Sequence, residues 1–546
     1  MNCRPLLSLL CLPLLTGCGS MSKKNAKHTE IAVRTPAVRG GYGSVGTRFQ
    51  GTEFLSFEEL KGLAVNPKPG GTVEQKLARF FNRPIISNEA WYGGKRSTRA
   101  QNATMGEFVR VATWNIEKSI HAHEAARALK SAEAFEALID PRVAPPGSKR
   151  RAELLRERER LVTADVILLQ EMDIGIGRSG YRDAAREIAQ ALGMNYVYAP
   201  QQIEIDPVLL GLESIPDGRG GKVLHQPDPR RYKGVFGIAV LSRYPVRSAK
   251  CFQLKAQPYD WYEGEKSDTG LIEDSRRFAA EVLFENKIVR EMKVGGRIFF
   301  RVDLAVPGLP GSTLTVIHNH LEIKARPRDR EAQLLEILSH IQDIPHTVVM
   351  AGDHNTSKAD ISPTSARRVL ARTSTSSQTW LSVGMNVLMA VPVVANTGRL
   401  LINNVKNLHN PLALDIPILL PNKSRRLFNR IEDFRFADGG QFDFRGDRDR
   451  SINRSSAKLA NSNEKAFFGR TPTFSVKRPI GPIGRGRLDW IFVKAPPSAL
   501  PDGRKSYRLS PHFGEALSTF GQALHPALSD HIPCAVDIPL QEPAGL

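Results

Sequence analysis

The stretch HTVVMAGDHNTS, residues 346–357, decides the fold. Thr347 to Met350 form a short apolar run, and Gly352 interrupts it just before Asp353 and Asn355. This pattern predicts a buried strand that ends in a sharp turn and presents a carboxylate and an amide at the edge of a sheet, where open α/β sheets place their sites. An ordinary strand-end turn explains one such stretch equally well, because Gly, Asp and Asn favour turns for local hydrogen-bonding reasons. The site interpretation therefore depends on whether other strands end in the same way.

Five further stretches carry polar side chains at the ends of predicted strands. In chain order they are Trp114-Asn115, Gln170-Glu171, His318 to Glu322 (HNHLE), Arg487 to Phe492 (RLDWIF) and Ser529-Asp530-His531. The apolar run Ala164–Leu169, for example, is expected to end in Glu171, and a carboxylate there is costly unless it pairs with a partner such as a metal ion. Helical patterns separate the strands, over His121–Asp140, Lys149–Thr163, Tyr181–Leu192 and Arg330–Ile341. Strands alternating with helices in this order predict an α/β domain.

The N-terminus has the composition of a bacterial export signal. One cation, Arg4, precedes the apolar run Pro5–Leu15, and Leu15-Thr16-Gly17-Cys18 resembles the lipobox of bacterial lipoproteins. The run is too short for a membrane-spanning helix, so residues 1–17 are interpreted as a processed lipoprotein signal peptide and Cys18 as the lipidated residue. An ordinary cleaved signal with a chance cysteine is the alternative. Gly19 resembles lipoproteins that enterobacteria send to the outer membrane, so we expect a lipid-anchored protein of the bacterial envelope, in the outer rather than the inner membrane.

Composition and patterning set the expected organisation of the other residues. The 546 residues are 41% hydrophobic with a formal charge of +20, which describes a globular chain attracted to phosphate-rich partners, nucleic acid or anionic lipid. Residues 18–51 are predicted to be a flexible tether and 52–106 an accessory N-terminal segment with a helix capped by Thr72. Residues 107–540 are the regular domain, with an insertion at about 373–470. Within the insertion, Arg425–Arg454 mixes cations with aromatics, which can bind nucleic acid, although packed aromatics and paired charges are favoured.

Cys251 and Cys534 are the cysteines outside the N-terminal segment. They could form one disulfide in an oxidising compartment or remain two buried thiols, and both alternatives stay open at this stage. No closely spaced Cys/His cluster in the sequence indicates structural zinc.

Taken together, the six motifs resemble the endonuclease/exonuclease/phosphatase superfamily, whose members include DNase I, abasic-site endonucleases, neutral sphingomyelinases and inositol-polyphosphate phosphatases. The resemblance runs from about Phe108 to Ile538 without the insertion. It implies a DNase I-like, four-layer α/β sandwich of two packed mixed sheets with outer helices, and a site at one rim. His318 departs from the pattern, since many members have Asn there. Tyr232 is a candidate for a tyrosine that some members use.

The resemblance also implies roles for individual residues. Glu171, Asn115 and Asp530 would surround one or two divalent ions, Mg²⁺ or Mn²⁺, which prefer such oxygen ligands. Asp353 would orient and deprotonate water, and His531 would pair with Asp489 and manage a proton. Asn355 and His320 would donate hydrogen bonds to the phosphate oxygens.

These roles predict a metal-dependent hydrolase that acts on phosphoester bonds. The charge favours a nuclease of DNA or RNA, whereas the expected anchor favours a phospholipid or sphingolipid phosphodiesterase or phosphatase. A third hypothesis is a catalytically silent surface lipoprotein that binds an acidic partner. Loss of Glu171, Asp353 or His531 would have indicated it, and all three are present.

Overall fold

A computed structural model of the chain describes residues 47–98, 100–102, 106–216, 222–266, 291–356, 425–442, 472–480, 483–497, 500 and 514–541. The helices are α1 (Phe57–Val65), α2 (Gly71–Asn82), α3 (Glu89–Tyr92), α4 (Ala122–Lys130), α5 (Ala132–Glu136), α6 (Lys149–Val162), α7 (Ala184–Leu192), α8 (Asp206–Leu210), α9 (Glu263–Lys266), α10 (Pro327–Ile341), α11 (Arg425–Asp433) and α12 (Ser518–Gln522). The strands are β1 (Phe49–Gln50), β2 (Ile85–Ser87), β3 (Ala100–Asn102), β4 (Gly106–Asn115), β5 (Val166–Ile174), β6 (Asn195–Glu204), β7 (Glu213–Pro216), β8 (Lys222–His225), β9 (Val235–Ser242), β10 (Val246–Gln253), β11 (Lys293–Gly295), β12 (Ile298–Ala305), β13 (Thr313–His320), β14 (Thr347–Asp353), β15 (Phe474–Ile480), β16 (Ile483–Gly486), β17 (Asp489–Lys494), β18 (Glu515–Ala516) and β19 (Cys534–Pro539).

Two mixed sheets form the centre of the molecule. The larger, of ten strands, runs in the order β1-β2-β6-β9-β5-β4-β19-β18, with β11 beside β6 and β3 beside β4. The smaller runs in the order β10-β12-β13-β14-β17. Each contains one parallel pair, β4 with β5 and β13 with β14, among antiparallel neighbours. The expected four-layer sandwich of mixed sheets with outer helices is confirmed.

The two faces of the smaller sheet bury different sets of side chains. Val316 and Val349 belong to the core between the sheets, where β14 and β17 contact β4, β5 and β19. Ile317, Val348 and Trp490 belong to a second core under α10 and α11. Consecutive strand residues point to opposite faces, so a strand covered on both sides is apolar at every position. This explains the unbroken apolar runs in the sequence.

The elements before β5 differ from the prediction in three ways. Phe49 pairs with Ser87, so the last residues of the expected tether already belong to the larger sheet, as does β2 of the expected accessory segment. Helix α2 begins at Gly71 with Gly70 as its N-cap, so Thr72 does not cap it. The helix expected over His121–Asp140 is divided into α4 and α5, because Ser131 is extended and its side chain accepts a hydrogen bond from the amide of Ala134.

The described part of the insertion packs as an ordinary structural element. Leu427, Phe428 and Phe442 are buried in the second core, and Arg430 pairs with Glu331 of α10 at 2.8 Å. The packing interpretation of this segment is therefore confirmed for residues 425–442. The helix considered over Trp380–Val394 and the remaining residues of the Arg-rich stretch, 443–454, lie outside the described residues, as do the predicted signal peptide and Cys18.

None of the helices within the described ranges combines the length and the apolar composition that crossing a bilayer requires. Cys251 on β10 and Cys534 on β19 are both buried and both free thiols. Of the two alternatives, the structure therefore shows two buried thiols and no disulfide between these residues.

Candidate active site

The polar strand ends converge because of strand direction. β4, β5, β13 and β14 carry their site residues at or near their C-terminal ends, whereas β17 and β19 run antiparallel to β14 and β4 and so begin at the same rim. Asp353, the last residue of β14, lies directly opposite Asp489, the first residue of β17. His531 precedes the start of β19, which pairs with the end of β4 next to Asn115. One rim therefore collects groups from both sheets.

Asp353 lies at the centre of this rim. Its Oδ2 accepts a hydrogen bond from Asn115 Nδ2 at 3.1 Å and lies 3.6 Å from His320 Nε2 and 3.9 Å from His531 Nε2. Its Oδ1 accepts a hydrogen bond from the amide of Asn355 at 2.7 Å. Burial raises the pKa of Asp353 to about 6, with a further contribution from the neighbouring Asp489 carboxylate, although His531 opposes the shift.

Gly352 does not interrupt β14 as the sequence predicted, because the strand continues to Asp353; it instead permits the close approach of β13 at this point. Its φ is +144°, and a Cβ at this position would lie 1.9 Å from the carbonyl oxygen of Asn319 on β13. Any side chain would therefore push the two parallel strands apart at the residue before the central carboxylate.

Glu171 does not end its strand as the sequence predicts. β5 continues to Ile174, and Glu171 lies on a β-bulge, at the register shift between Leu169 and Met172, with φ of +60°. The bulge directs the Glu171 carboxylate to the rim, where it accepts hydrogen bonds from Asn115 Nδ2 at 3.2 Å and from the amide of Lys118 at 2.9 Å. Bulges and positive φ values in non-glycine residues are costly and concentrate at functional sites.

Asp489 and His531 form a buried hydrogen-bonded pair. His531 Nδ1 lies 2.8 Å from Asp489 Oδ2, and the amide of Asp489 donates to Thr473 Oγ1 at 3.1 Å. Burial alone would lower the pKa of His531, but the surrounding carboxylates, Asp489 first, raise it well above its ordinary value. The imidazolium form is thus favoured near neutral pH. Its Nε2 side is directed towards Asp353.

Asp530 belongs to a separate group of carboxylates. Its amide donates to Glu117 Oε2 at 3.1 Å. Burial raises the pKa of Asp530 to about 7, and the negative charges of Glu117 and Glu171 add to the shift, while His531 opposes it. Mutually repelling carboxylates beside the Asn115 amide form an oxygen-rich donor set of the kind that Mg²⁺ and Mn²⁺ prefer. The residues predicted as metal ligands, Glu171, Asn115 and Asp530, therefore fit a divalent ion chemically.

Potential ligand atoms also gather on the His531 side of the rim. Ligand atoms of Asp353, Asp489 and His531 lie within 4.8 Å of one another. The 2.8 Å hydrogen bond between His531 and Asp489 already occupies one donor and one acceptor of this group. His531 and Asp489 are therefore each other's partners, an arrangement that can hold a proton near neutral pH.

His320 and Asn355 also lie beside Asp353. Burial lowers the pKa of His320 well below its ordinary value, with contributions from Arg297 and His531, so its ring is neutral. Asn355 has φ of +45°, and its Nδ2 donates to the carbonyl of Leu321 at 2.9 Å. Asn355 therefore uses one of its two amide N–H groups to hold its own turn.

His318 and Tyr232 occupy positions below the rim. His318 is fully buried with Nε2 2.5 Å from Gln170 Nε2, and burial lowers its pKa to about 3. Tyr232 is fully buried and donates to the carbonyl of Glu204 at 2.8 Å. In this structure both side chains serve the packing between strands.

Two residues at the rim were given no role from the sequence. Ser529 Oγ donates to the carbonyl of Asn115 at 2.7 Å and accepts from the amide of His531 at 3.0 Å, which ties β4 to the histidine. Arg297 pairs with Glu322 at 3.0 Å, and its Nη1 has no hydrogen-bond partner among the described residues. The serine directly before Asp530 and His531 could have been assigned a role from the sequence. Arg297 could not, because its place at the rim depends on the pairing of β12 with β13.

The sequence match that decides the family covers this whole set of motifs. The family model described as "Endonuclease/Exonuclease/phosphatase family" matches residues 112–531. The chain belongs to this endonuclease/exonuclease/phosphatase family. It is therefore a hydrolase of phosphoester bonds, of the nuclease or phosphatase type, as the resemblance predicted.

Solved structures similar to this family member have low sequence identity. One is an endonuclease/exonuclease/phosphatase from Beutenbergia cavernae, at 16% identity and a TM-score of 0.33, covering 80% of this chain and 72% of that one. Another is the 3'-5' exonuclease NExo from Neisseria meningitidis, at 14% identity and a TM-score of 0.34, covering 79% of this chain and 99% of that one. A third is an AP endonuclease from Archaeoglobus fulgidus, at 13% identity and a TM-score of 0.32, covering 79% of this chain and 98% of that one. No curated protein matches the sequence significantly.

Proposed function

We propose that this family member is a divalent-metal-dependent phosphodiesterase, and that its substrate is DNA or RNA. The observation that carries the proposal is the position of Asp353, whose carboxylate contacts Asn115 and lies within 4 Å of His320 and His531. Beside it, Glu171, Asn115 and Asp530 would hold Mg²⁺ or Mn²⁺, as one or two ions. When bound, the metal offsets the charge of the phosphodiester and of its leaving oxygen.

Side chains of the rim would position the attacking water, transfer protons and bind the phosphate oxygens. Asp353, with a pKa of about 6, is ionised at neutral pH and accepts a proton from the attacking water. His531, kept protonated by Asp489, donates a hydrogen bond or a proton to a phosphate oxygen. Asn115 donates to both Glu171 and Asp353, so it fixes the carboxylate that would hold the metal relative to the carboxylate that would accept the proton. His320 and Asn355 are assigned to the remaining phosphate oxygens.

The preference for nucleic acid depends on charge. The chain has 76 Lys and Arg against 56 Asp and Glu, and a polyanion is attracted to such a surface. The test is incubation of the protein with supercoiled plasmid and Mg²⁺, beside an EDTA sample, Asp353→Asn and the exposed control Asp343→Asn. We expect nicking by the unchanged protein and by Asp343→Asn alone. Intact plasmid in every sample would overturn the nuclease assignment.

A lipid phosphodiester is the second candidate, and one observation favours it. Several large apolar side chains are exposed on the strand-end side of the larger sheet, beyond the ends of β5 and β6. Phospholipid and sphingolipid vesicles are therefore the next substrates, scored by released head group. Binding of an acidic partner without turnover, insensitive to Asp353→Ala, is the outcome expected of a catalytically silent lipoprotein.

We further propose export and lipid anchoring through Cys18, with a final position in the bacterial outer membrane. The support is the lipobox-like sequence before Cys18. Mass spectrometry of the mature N-terminal peptide tests this proposal, because acylation adds the mass of fatty chains to Cys18. A mature N-terminus elsewhere, or an unmodified Cys18, would contradict it.

A further inference from the structure

A group of exposed leucine and valine side chains lies on the rim of the larger sheet. We call it the apolar ridge, and its members are Leu209, Leu210, Leu212, Val223 and Leu224, which are 45%, 69%, 45%, 51% and 68% exposed. They belong to α8, to the residues after it and to the β7–β8 hairpin. Soluble surfaces carry single exposed apolar residues routinely, but five within sixteen positions of the chain form a cluster that requires an explanation.

The ridge adjoins the catalytic rim. β5 leads from Glu171 through Ile174 into a single helical turn at Gly177–Ser179. Glu213, at the base of the hairpin, accepts a hydrogen bond from the amide of Gly177 at 3.0 Å and another from the Tyr181 hydroxyl. The hairpin is therefore fixed to the turn that follows the strand of Glu171.

The shape of the ridge indicates what surrounds it. Val223 and Leu224 are neighbours on one strand, so their side chains point to opposite faces of a two-stranded ribbon. Both are more than half exposed, and the ribbon joins neither large sheet. A rigid protein partner would cover one face of such a ribbon, whereas a bilayer interface surrounds both faces.

Cations border the ridge. Arg231 lies over the ring of Tyr181, which holds the hairpin. Lys266 donates to the Tyr262 hydroxyl, which in turn donates to the carbonyl of Val65, a residue that is 75% exposed at the end of α1. Helix α1 contacts α8, so Arg231 and Lys266 are connected to the elements that carry the leucines, one through Tyr181 and the other through Tyr262 and α1. Apolar side chains bordered by cations are the combination that binds anionic lipid surfaces.

We propose that the apolar ridge docks on an anionic lipid bilayer and inserts Leu210 and Leu224 into it, with the catalytic rim turned towards the membrane. This contact is separate from the predicted acyl anchor. It does not depend on whether the substrate is nucleic acid or lipid.

The first test measures vesicle binding with matched variants. The chain from Gly19 onward, which lacks both the apolar run Pro5–Leu15 and the predicted acylation site, is co-sedimented with vesicles of phosphatidylcholine and phosphatidylglycerol. Leu210→Ser with Leu224→Ser removes apolar area without adding negative charge, and we expect at least about tenfold weaker partitioning. The control pair Leu155→Ser with Leu335→Ser changes two leucines that are each 41% exposed on α6 and α10, and we expect less than about a twofold effect.

The second test measures insertion at the ridge itself. Tryptophan in Leu224→Trp is expected to be quenched by brominated lipid, and tryptophan in Leu335→Trp is not. Equal binding of the ridge and control variants, or equal quenching at the two positions, would overturn the proposal. So would a dimer in solution that only the ridge variants dissociate, because the ridge would then join two copies of this chain. Hydrolysis of soluble bis(p-nitrophenyl) phosphate reports the proposed function separately, and the ridge variants should retain it.

Discussion

Replacing Asp489 by Asn tests whether the buried pair with His531 acts in catalysis. The change keeps the side-chain shape but removes the charge that lies 2.8 Å from His531 Nδ1. A hydrogen bond to a charged group contributes about 1.5–3 kcal/mol and a neutral one about 0.5–1.5 kcal/mol. The Asn oxygen still accepts from the ring, so the variant loses about 1–1.5 kcal/mol in the transition state and kcat/KM falls about 5- to 13-fold. The Asp489 carboxylate is the leading group that raises the pKa of His531, and the variant therefore has a lower histidine pKa.

The pH dependence follows from the sign of this shift. If protonated His531 is the donor, activity falls as pH rises through its pKa, and Asp489→Asn moves that fall to lower pH. The assay is kcat/KM for bis(p-nitrophenyl) phosphate across pH, with Asp343→Asn as the exposed control and thermal unfolding as the check on folding. A variant that folds normally and keeps both the rate and the alkaline limb of the unchanged protein would refute the assignment of the pair.

Three further predictions concern stability and reactivity. Gly352→Ala should destabilise the protein by roughly 3 kcal/mol or more in denaturant unfolding, because the new Cβ overlaps the carbonyl of Asn319; an unchanged midpoint would contradict the contact. Burial raises the pKa of Glu157 to about 7, so its stabilising contribution is complete below about pH 4.5 and is lost as pH rises through about 7. Glu157→Gln should flatten this part of the plot of unfolding free energy against pH, and an unchanged slope would contradict the raised pKa. Burial also raises the pKa of the Cys534 thiol to about 12 and raises that of the Cys251 thiol further. Neither thiol should therefore react with a thiol reagent until the protein unfolds, and rapid labelling of the folded protein would contradict their burial.

The strands were predictable from sequence because their signals are local. Val348 and Val349 face different cores, so the run from Val348 to Ala351 is apolar without a break. Which strands pair was not predictable in this way, because pairing joins residues as distant in sequence as Thr113 and Cys534. Only the resemblance to a known family supplied the expected architecture.

The candidate site was predictable by residue type and less by geometry. The sequence indicated Glu171, but the bulge that turns it to the rim depends on the register of β5 against β9, which no local pattern specifies. The division of the helix at Ser131 did have a local signal, since serine is a frequent N-cap. The pairing of Phe49 at the start of the larger sheet had no local signal, because a strand of two residues is too short to show an alternation of apolar and polar positions.

The most direct test of a metal-dependent phosphoesterase is hydrolysis of bis(p-nitrophenyl) phosphate as Mg²⁺ is titrated, for the unchanged protein and for Glu171→Gln. The expected result is no hydrolysis in EDTA, saturation with Mg²⁺, and half-saturation at about tenfold or more higher Mg²⁺ for the variant, because one charged oxygen ligand is lost. Hydrolysis that persists in EDTA, or identical Mg²⁺ curves for the two proteins, would contradict the assignment of the metal to the Glu171 side of the rim.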